Sequence, residues 1–373
     1  MSASARTLPS LRRSSSRPSR TSSASFCCSG SRPGSSCEGE GRGVSPAFDP
    51  ERLAGRIAGG EPLALARGIS HVENESDGFE ALLERLDGRT GRARRIGITG
   101  PPGAGKSTLT AALTRHYLNQ SLKVGIVAVD PTSPFTGGAL LGDRIRMGEL
   151  STEPGVFIRS MASRGSLGGL ATATREAADL MDAAGYDRVI LETLGVGQAE
   201  LDIAVSADTT AVVLVPESGD GVQAMKAGLM EVADLFVINK SDRPGADRLE
   251  KEIAIIMSIR FANRPGAGAG PAAAAEVWRM PITQTVASEA RGIEEFAAHL
   301  DRHFDWLRKT GKLEANRRAA RLRRAHDALL RRSQRDAQRI WRAASPETLD
   351  SDASPYALAR RLYEEFREGL RGT

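Results

Sequence analysis

Gly100-Pro-Pro-Gly-Ala-Gly-Lys-Ser107 constrains this chain more than any other stretch. It fits G-x-x-x-x-G-K-[ST] at every fixed position. The apolar run Ile96-Gly97-Ile98-Thr99 precedes it, and a helical pattern from about Lys106 to Leu118 follows, so the turn lies between a strand and a helix. Gly100, Gly103 and Gly105 let the backbone fold tightly round a phosphate and aim its N–H groups inward. The start of the following helix adds a favourable potential for an anion. Gly100, Pro101, Pro102, Gly103, Ala104, Gly105, Lys106, Ser107 and Thr108 are therefore read as a nucleotide-binding loop. In that reading Lys106 reaches the β- and γ-phosphates, and the Ser107 hydroxyl coordinates Mg²⁺. The loop specifies a nucleoside triphosphate without specifying the base.

Short apolar runs recur after the loop. They are expected as strands at 124–129, 156–159, 188–191, 210–215, 235–238 and 280–286, with helical stretches between most of them. The alternation predicts an α/β fold with a mostly parallel sheet covered on both faces. Before the loop, Leu53, Ile57, Leu63, Leu65, Ile69, Phe79, Leu82, Leu83 and Leu86 recur at helical spacing. The chain also reads as helical beyond Gly292. GAGAGPAAAA at 266–275 has the composition of a flexible loop.

The base is addressed by Asn239-Lys240-Ser241-Asp242, which follows the run Leu235-Phe236-Val237-Ile238 and fits N-K-x-D. A carboxylate at Asp242 can accept hydrogen bonds from N1–H and the exocyclic amine of guanine. Adenine offers no donor at either point and would leave the carboxylate unpaired. After the next strand, Val286-Ala287-Ser288 is placed so that backbone N–H groups face the guanine O6.

Several longer stretches now converge. GITGPPGAGKST, VAVDPTSPFTGGALLGDRIRM, VILETLGVGQAE, VPESGDGVQAMKAG and the NKSD segment together resemble the MeaB/ArgK GTPases, from about residue 48 to at least 310. The resemblance implies a P-loop GTPase domain with helical extensions at both ends. Together with a Ser/Arg-rich leader read from composition as disordered (1–43), it divides the chain into an N-terminal helical extension (44–91), the GTPase domain (92–310) and a C-terminal helical extension (311–373) that the resemblance makes a homodimer contact. It further implies GTP hydrolysis, and a chaperone that gates cofactor loading and protects or reactivates an adenosylcobalamin-dependent acyl-CoA mutase such as methylmalonyl-CoA mutase. By the same resemblance Lys106, Asp130, Asp143 and Glu192 are the catalytic set, and Ser107, Asp143 and Glu192 surround the Mg²⁺. Glu192 ends a strand, where a carboxylate faces the ligand crevice of an open α/β sheet. Many GTPases read D-x-x-G-Q, with glutamine orienting the attacking water. Here Val196 follows Gly195 and Gln198 lies two residues further on. Slow intrinsic hydrolysis that speeds up with a partner is therefore expected. Val215–Lys226 matches a segment the family uses to couple nucleotide state to the mutase; a plain strand-to-helix connection fits it as well. Arg164, in SRGSLGG, carries no catalytic assignment. An older label for the family, an accessory ATPase or kinase of an amino-acid transport system, would require a preference for ATP.

Residues 1–43 contain no acid before Glu38, and LRRSSSRPSRTSS cannot bury enough apolar surface to offset its ordering entropy. A mitochondrial transit peptide and a disordered extension both fit. The chain is accordingly expected in the cytoplasm, or in the mitochondrial matrix if the leader is a transit peptide. Cys27, Cys28 and Cys37 are the only cysteines, so the body has neither a disulfide framework nor a Cys-based metal site. No apolar run approaches the roughly 20 residues needed to span a bilayer, and no membrane association is expected. Between 310 and 345 the chain is strongly basic. Leu322, Ala325, Leu329, Ala337 and Ile340 share one helical face, with Arg324, Arg331, Arg335 and Arg342 opposite. The expectation is an apolar stripe packed on the core or a second subunit and a solvated arginine face, with no nucleic acid bound.

Overall fold

Seven strands form one sheet in a computed structural model that describes residues 48–130, 148, 150–162, 169–193, 199–216, 229–262, 277–349 and 353–371. They are β1 (Arg94–Thr99), β2 (Val124–Asp130), β3 (Val156–Ala162), β4 (Arg188–Thr193), β5 (Thr209–Leu214), β6 (Leu235–Asn239) and β7 (Ile282–Thr285). The order is β3-β2-β4-β1-β5-β6-β7, and every pairing between these strands is parallel. β1 lies between β4 and β5, so the chain reverses its direction of travel across the sheet beside β1. Open α/β sheets bind ligands at the carboxyl ends of the strands at such a point.

Parallel strands need long crossovers, and among the described residues α-helices lie in those from β1 to β2, β3 to β4, β4 to β5, β5 to β6 and β6 to β7. Three helices precede the sheet: α1 (Pro50–Ala58), α2 (Pro62–Glu73) and α3 (Phe79–Asp87). Asp49 caps α1 by accepting from the N–H groups of Glu51 and Arg52 at 3.0 and 3.1 Å, and Pro50 supplies a preset first turn. Within the sheet region come α4 (Lys106–Asn119), α5 (Gly169–Ala183), α6 (Ala199–Ser206), α7 (Leu229–Val232) and α8 (Ala246–Ala262). The chain continues through α9 (Ile293–Lys309), α10 (Lys312–Ala343), α11 (Pro346–Leu349) and α12 (Pro355–Arg371). Residues Phe48–Thr373 make one compact unit.

Both faces of the sheet are covered. Ile57, Leu65, Ile69, Leu82 and Leu86 from α1–α3 pack with Leu180 and Met181 of α5 against Val127, Val189 and Leu191. On the other face, Leu109, Leu113 and Tyr117 of α4 meet Phe296 and Leu300 of α9 over Ile96, Ile98, Ile126 and Val213. β5 and β6 are buried at every position. Strands buried on both sides read as unbroken apolar runs, which is why these were visible in the sequence.

The basic helix departs from expectation. In α10 the arginines at 324, 331 and 335 face the body. Arg317, Arg324 and Arg331 recur every seven residues and so share one stripe of the helix. Arg317 binds Asp208 at 2.8 Å and the Gly91 and Ala93 carbonyls. Arg324 pairs with Asp179 and Arg331 with Glu176, both on α5. Arg321 meets Asp87 at 3.0 Å and Arg335 meets Glu80 at 2.7 Å. The apolar stripe points away: Leu322 is 66% and Leu329 63% exposed, while Ile340 is half-buried. Ala325, Ala337 and Arg342 are exposed. The surface beneath decides this, because it is acidic. Burial pushes the Glu176 carboxyl up, with Arg331 pulling the other way. The seam therefore fixes where the helix lies more than it stabilises the fold.

Candidate nucleotide-binding site

β1 delivers the phosphate loop and α4 leaves it. Gly100 (φ 142°), Gly103 (φ 75°) and Gly105 (φ 82°) all lie at positive φ. A Cβ on Gly100 would stand 2.1 Å from the Val213 carbonyl oxygen, and one on Gly105 would stand 2.4 Å from Asn239 Nδ2. Backbone shape and crowding both demand glycine at these two points. α4 starts at Gly105 with no side-chain cap and no acid in its first turn. That leaves the positive end of the helix open to an anion. Lys106 is buried, and its Nζ donates to the Gly100 and Pro101 carbonyls at 2.8 and 3.0 Å. The lysine thus spans the mouth of the loop. Pro101 and Ala104 are buried, Pro102 and Gly103 exposed, and Thr108 is exposed on α4.

Ser107 Oγ donates to Glu192 Oε1 at 2.6 Å. Glu192, 1% exposed, lies in β4 between Ile98 of β1 and Ala128 of β2. A hydroxyl and a carboxylate thus share the floor of the loop. Oxygen donors of this kind suit a hard divalent cation such as Mg²⁺, so the residues present fit the metal the sequence implies. One residue beyond, Thr193 Oγ1 donates to Thr99 Oγ1 at 3.2 Å, both side chains being buried.

Asn239 ends β6 and binds three elements. Its Nδ2 donates to the Ala104 carbonyl at 2.9 Å, and its Oδ1 accepts from the Ala287 N–H at 3.1 Å and the Thr285 hydroxyl at 3.2 Å. Lys240, at φ 56°, extends along the phosphate loop and donates to the Gly103 carbonyl at 2.9 Å. Ser241 N–H donates to the Thr285 carbonyl at 3.0 Å, and Asp242 stands exposed at the turn. The N-K-x-D turn, the phosphate loop and the end of β7 are therefore cross-braced through hydrogen bonds. Gln284 on β7 adds a tie from behind, donating to Glu250 of α8 at 2.6 Å.

The Val286–Ser288 reading is narrowed. The Val286 N–H donates to the Arg291 carbonyl at 3.1 Å, and the Ala287 N–H is taken by Asn239. Two of the three N–H groups are thus engaged within the protein. Asp130 is the last residue of β2, paired with Ala162 of β3. Asp143, Arg164, Gly195, Val196, Gln198, 217–226, 266–275 and the leader 1–43 lie outside the described residues. Thr285, Thr99 and Thr193 do not stand out in the sequence. Their only signal there is position, at strand ends beside residues that do.

Known proteins fit this geometry. A sequence model of the family described as methylmalonyl Co-A mutase-associated GTPase MeaB matches residues 65–338. A putative GTPase of Pyrococcus abyssi is 48% identical over 268 residues, covering 72% of this chain and 80% of the relative. A Caenorhabditis elegans protein described as a mitochondrial methylmalonic aciduria type A homolog is 34% identical over 282 residues, 72% of this chain and 69% of its own length. The crystal structure of a protein described as an LAO/AO transport system kinase superposes with a TM-score of 0.59 at 28% identity, covering 85% of this chain and 97% of that one. With its phosphate loop, its parallel sheet and these relatives taken together, the chain belongs to the MeaB family of P-loop GTPases.

Proposed function

We propose that this chain binds GTP with Mg²⁺, hydrolyses it, and uses the nucleotide state to chaperone an adenosylcobalamin-dependent acyl-CoA mutase, of which methylmalonyl-CoA mutase is the first candidate. The observation that carries the nucleotide part is Asn239, which ties the phosphate loop to both base-side loops in one hydrogen-bonded frame. The phosphates lie along 100–108, with Lys106 leaving its loop carbonyls to meet the β- and γ-oxygens. Ser107, Glu192 and Asp143 would hold the Mg²⁺, which would offset negative charge on the phosphates. Asp130 stands at the end of β2 as the further acid of this set. Asp242 and the Ser288 N–H read the guanine. The partner follows from the family's description, which names a mutase. The site of action is the cytoplasm, or the mitochondrial matrix if the leader is a transit peptide.

Purified protein should hydrolyse GTP slowly alone and faster with the mutase, and should bind the mutase in a nucleotide-dependent way. A rate alone equal to the rate with the mutase would remove the switch, and a mutase that ignores it in every nucleotide state would remove the chaperone role. The likeness to a transport-system kinase favours a second reading, an accessory ATPase or kinase. It requires ATP to compete equally with GTP, and Asp242 argues against that.

Neither nucleic acid nor membrane belongs to this proposal. The inward arginines of α10 are spent on Asp208, Asp179, Glu176, Asp87 and Glu80. No helix among the described residues is long and apolar enough to cross a membrane. The outward stripe of α10 supports the homodimer instead. Replacing Leu322 and Leu329 together by Glu should convert dimer to monomer in sedimentation while the unfolding temperature of the monomer holds, because both side chains are exposed. An unchanged sedimentation coefficient would rule this stripe out as the interface.

A further inference from the structure

We infer that Thr193 is a positioning residue for the GTPase site: its hydroxyl, bonded to Thr99, holds β4 against β1 so that Glu192 stays on Ser107. This rests on the GTP and Mg²⁺ reading above.

The two strands are tied unequally at their carboxyl ends. On the β2 side the ladder of β4 continues through the pair Val129↔Thr193. On the β1 side it ends one residue earlier, at Ile98↔Glu192. The paired register of β4 with β1 thus stops one residue short of its register with β2, beside the crevice where the phosphate loop turns away. The hydroxyl bond from Thr193 Oγ1 to Thr99 Oγ1, 3.2 Å long, lies at this first unladdered step. Thr99 is 0% and Thr193 1% exposed, so water does not substitute for either partner.

Side chains alternate along a strand. Glu192 points to the α4 face and meets Ser107 at 2.6 Å, so Thr193 points to the opposite face. The end of β4 is thereby pinned from both sides of the sheet, to α4 through Glu192 and to β1 through Thr193. Thr99 in turn is the residue before Gly100, the first glycine of the loop. Removing the Thr193 hydroxyl frees β4 to lean towards β2, which draws the carboxylate away from the serine. The phosphate contacts of the loop, made by β1 and α4, do not depend on that bond.

The test is Thr193→Val, with Thr193→Ser as rescue. Val keeps the volume and loses the hydroxyl. The readout is release of a fluorescent GDP as Mg²⁺ is titrated, with a second series in EDTA. The Mg²⁺ concentration that half-maximally slows release should rise about 10-fold in Thr193→Val, the worth of one net hydrogen bond. Thr193→Ser should return it to within about twofold of wild type, and release in EDTA should be the same for all three. Wild-type Mg²⁺ dependence in Thr193→Val overturns the inference. So does a Ser variant as impaired as Val, or an equal acceleration in EDTA, which would mean general loosening. A wild type whose GDP release ignores Mg²⁺ overturns the reading of the site itself, and this inference with it.

Discussion

Asp242→Asn is expected to weaken GTP binding by about 100-fold or more while leaving the phosphate loop as it is. The substitution is isosteric, and Asp242 is exposed at a turn whose shape is held by others. Lys240 lies on the Gly103 carbonyl and the Ser241 N–H on Thr285. What changes is the donor pattern offered to the base. A carboxylate accepts twice, from N1–H and from the 2-amino group of guanine. An amide accepts once and donates once, which suits a base with a carbonyl at C2. Xanthosine triphosphate should therefore gain in Asp242→Asn as GTP loses. Competition of GTP, XTP and ATP against a fluorescent GDP reads all three, and GTP affinity equal to wild type would refute the assignment of Asp242.

The largest stability effect is expected at Asp182, far from the nucleotide. Its side chain is fully buried on α5. It accepts from the N–H groups of Gly91, Arg92 and Ala93 at 2.7, 3.2 and 2.9 Å and from Arg95 at 3.2 Å. Those three amides lead into β1, the strand that carries the phosphate loop. Asp182→Ala strands them together with part of a buried guanidinium, and should cost ~3–5 kcal/mol, or about 10 °C in unfolding midpoint. Arg335→Ala breaks a half-exposed pair with Glu80 and should cost under ~1 kcal/mol. Urea unfolding of both variants separates the cases, and equal losses would deny Asp182 its special place.

Local features were legible in the sequence and long-range ones were not. The phosphate loop declares itself because its glycines and its lysine act within eight consecutive positions. The central strands declare themselves because burial on both faces leaves mostly apolar residues there. β7 is shorter than the expected 280–286, since Met280 precedes the ladder and Val286 turns to bond Arg291. Val286 and Ala287 illustrate the limit: their N–H groups are present in any sequence, and only the fold shows them engaged elsewhere. The orientation of α10 was illegible for another reason. Both of its stripes have helical period, and the acids that choose between them, such as Asp179 and Glu176, lie well over a hundred residues away in sequence.

The bracing by Asn239 has a thermodynamic corollary. One side chain joins the carbonyl of Ala104 to the N–H of Ala287, so the cleft cannot order its two halves independently. Guanosine and pyrophosphate, offered as separate molecules, should then bind with positive cooperativity, each lowering the entropic cost left for the other. By reciprocity the base would strengthen the grip on phosphate by the same factor that phosphate strengthens the grip on the base.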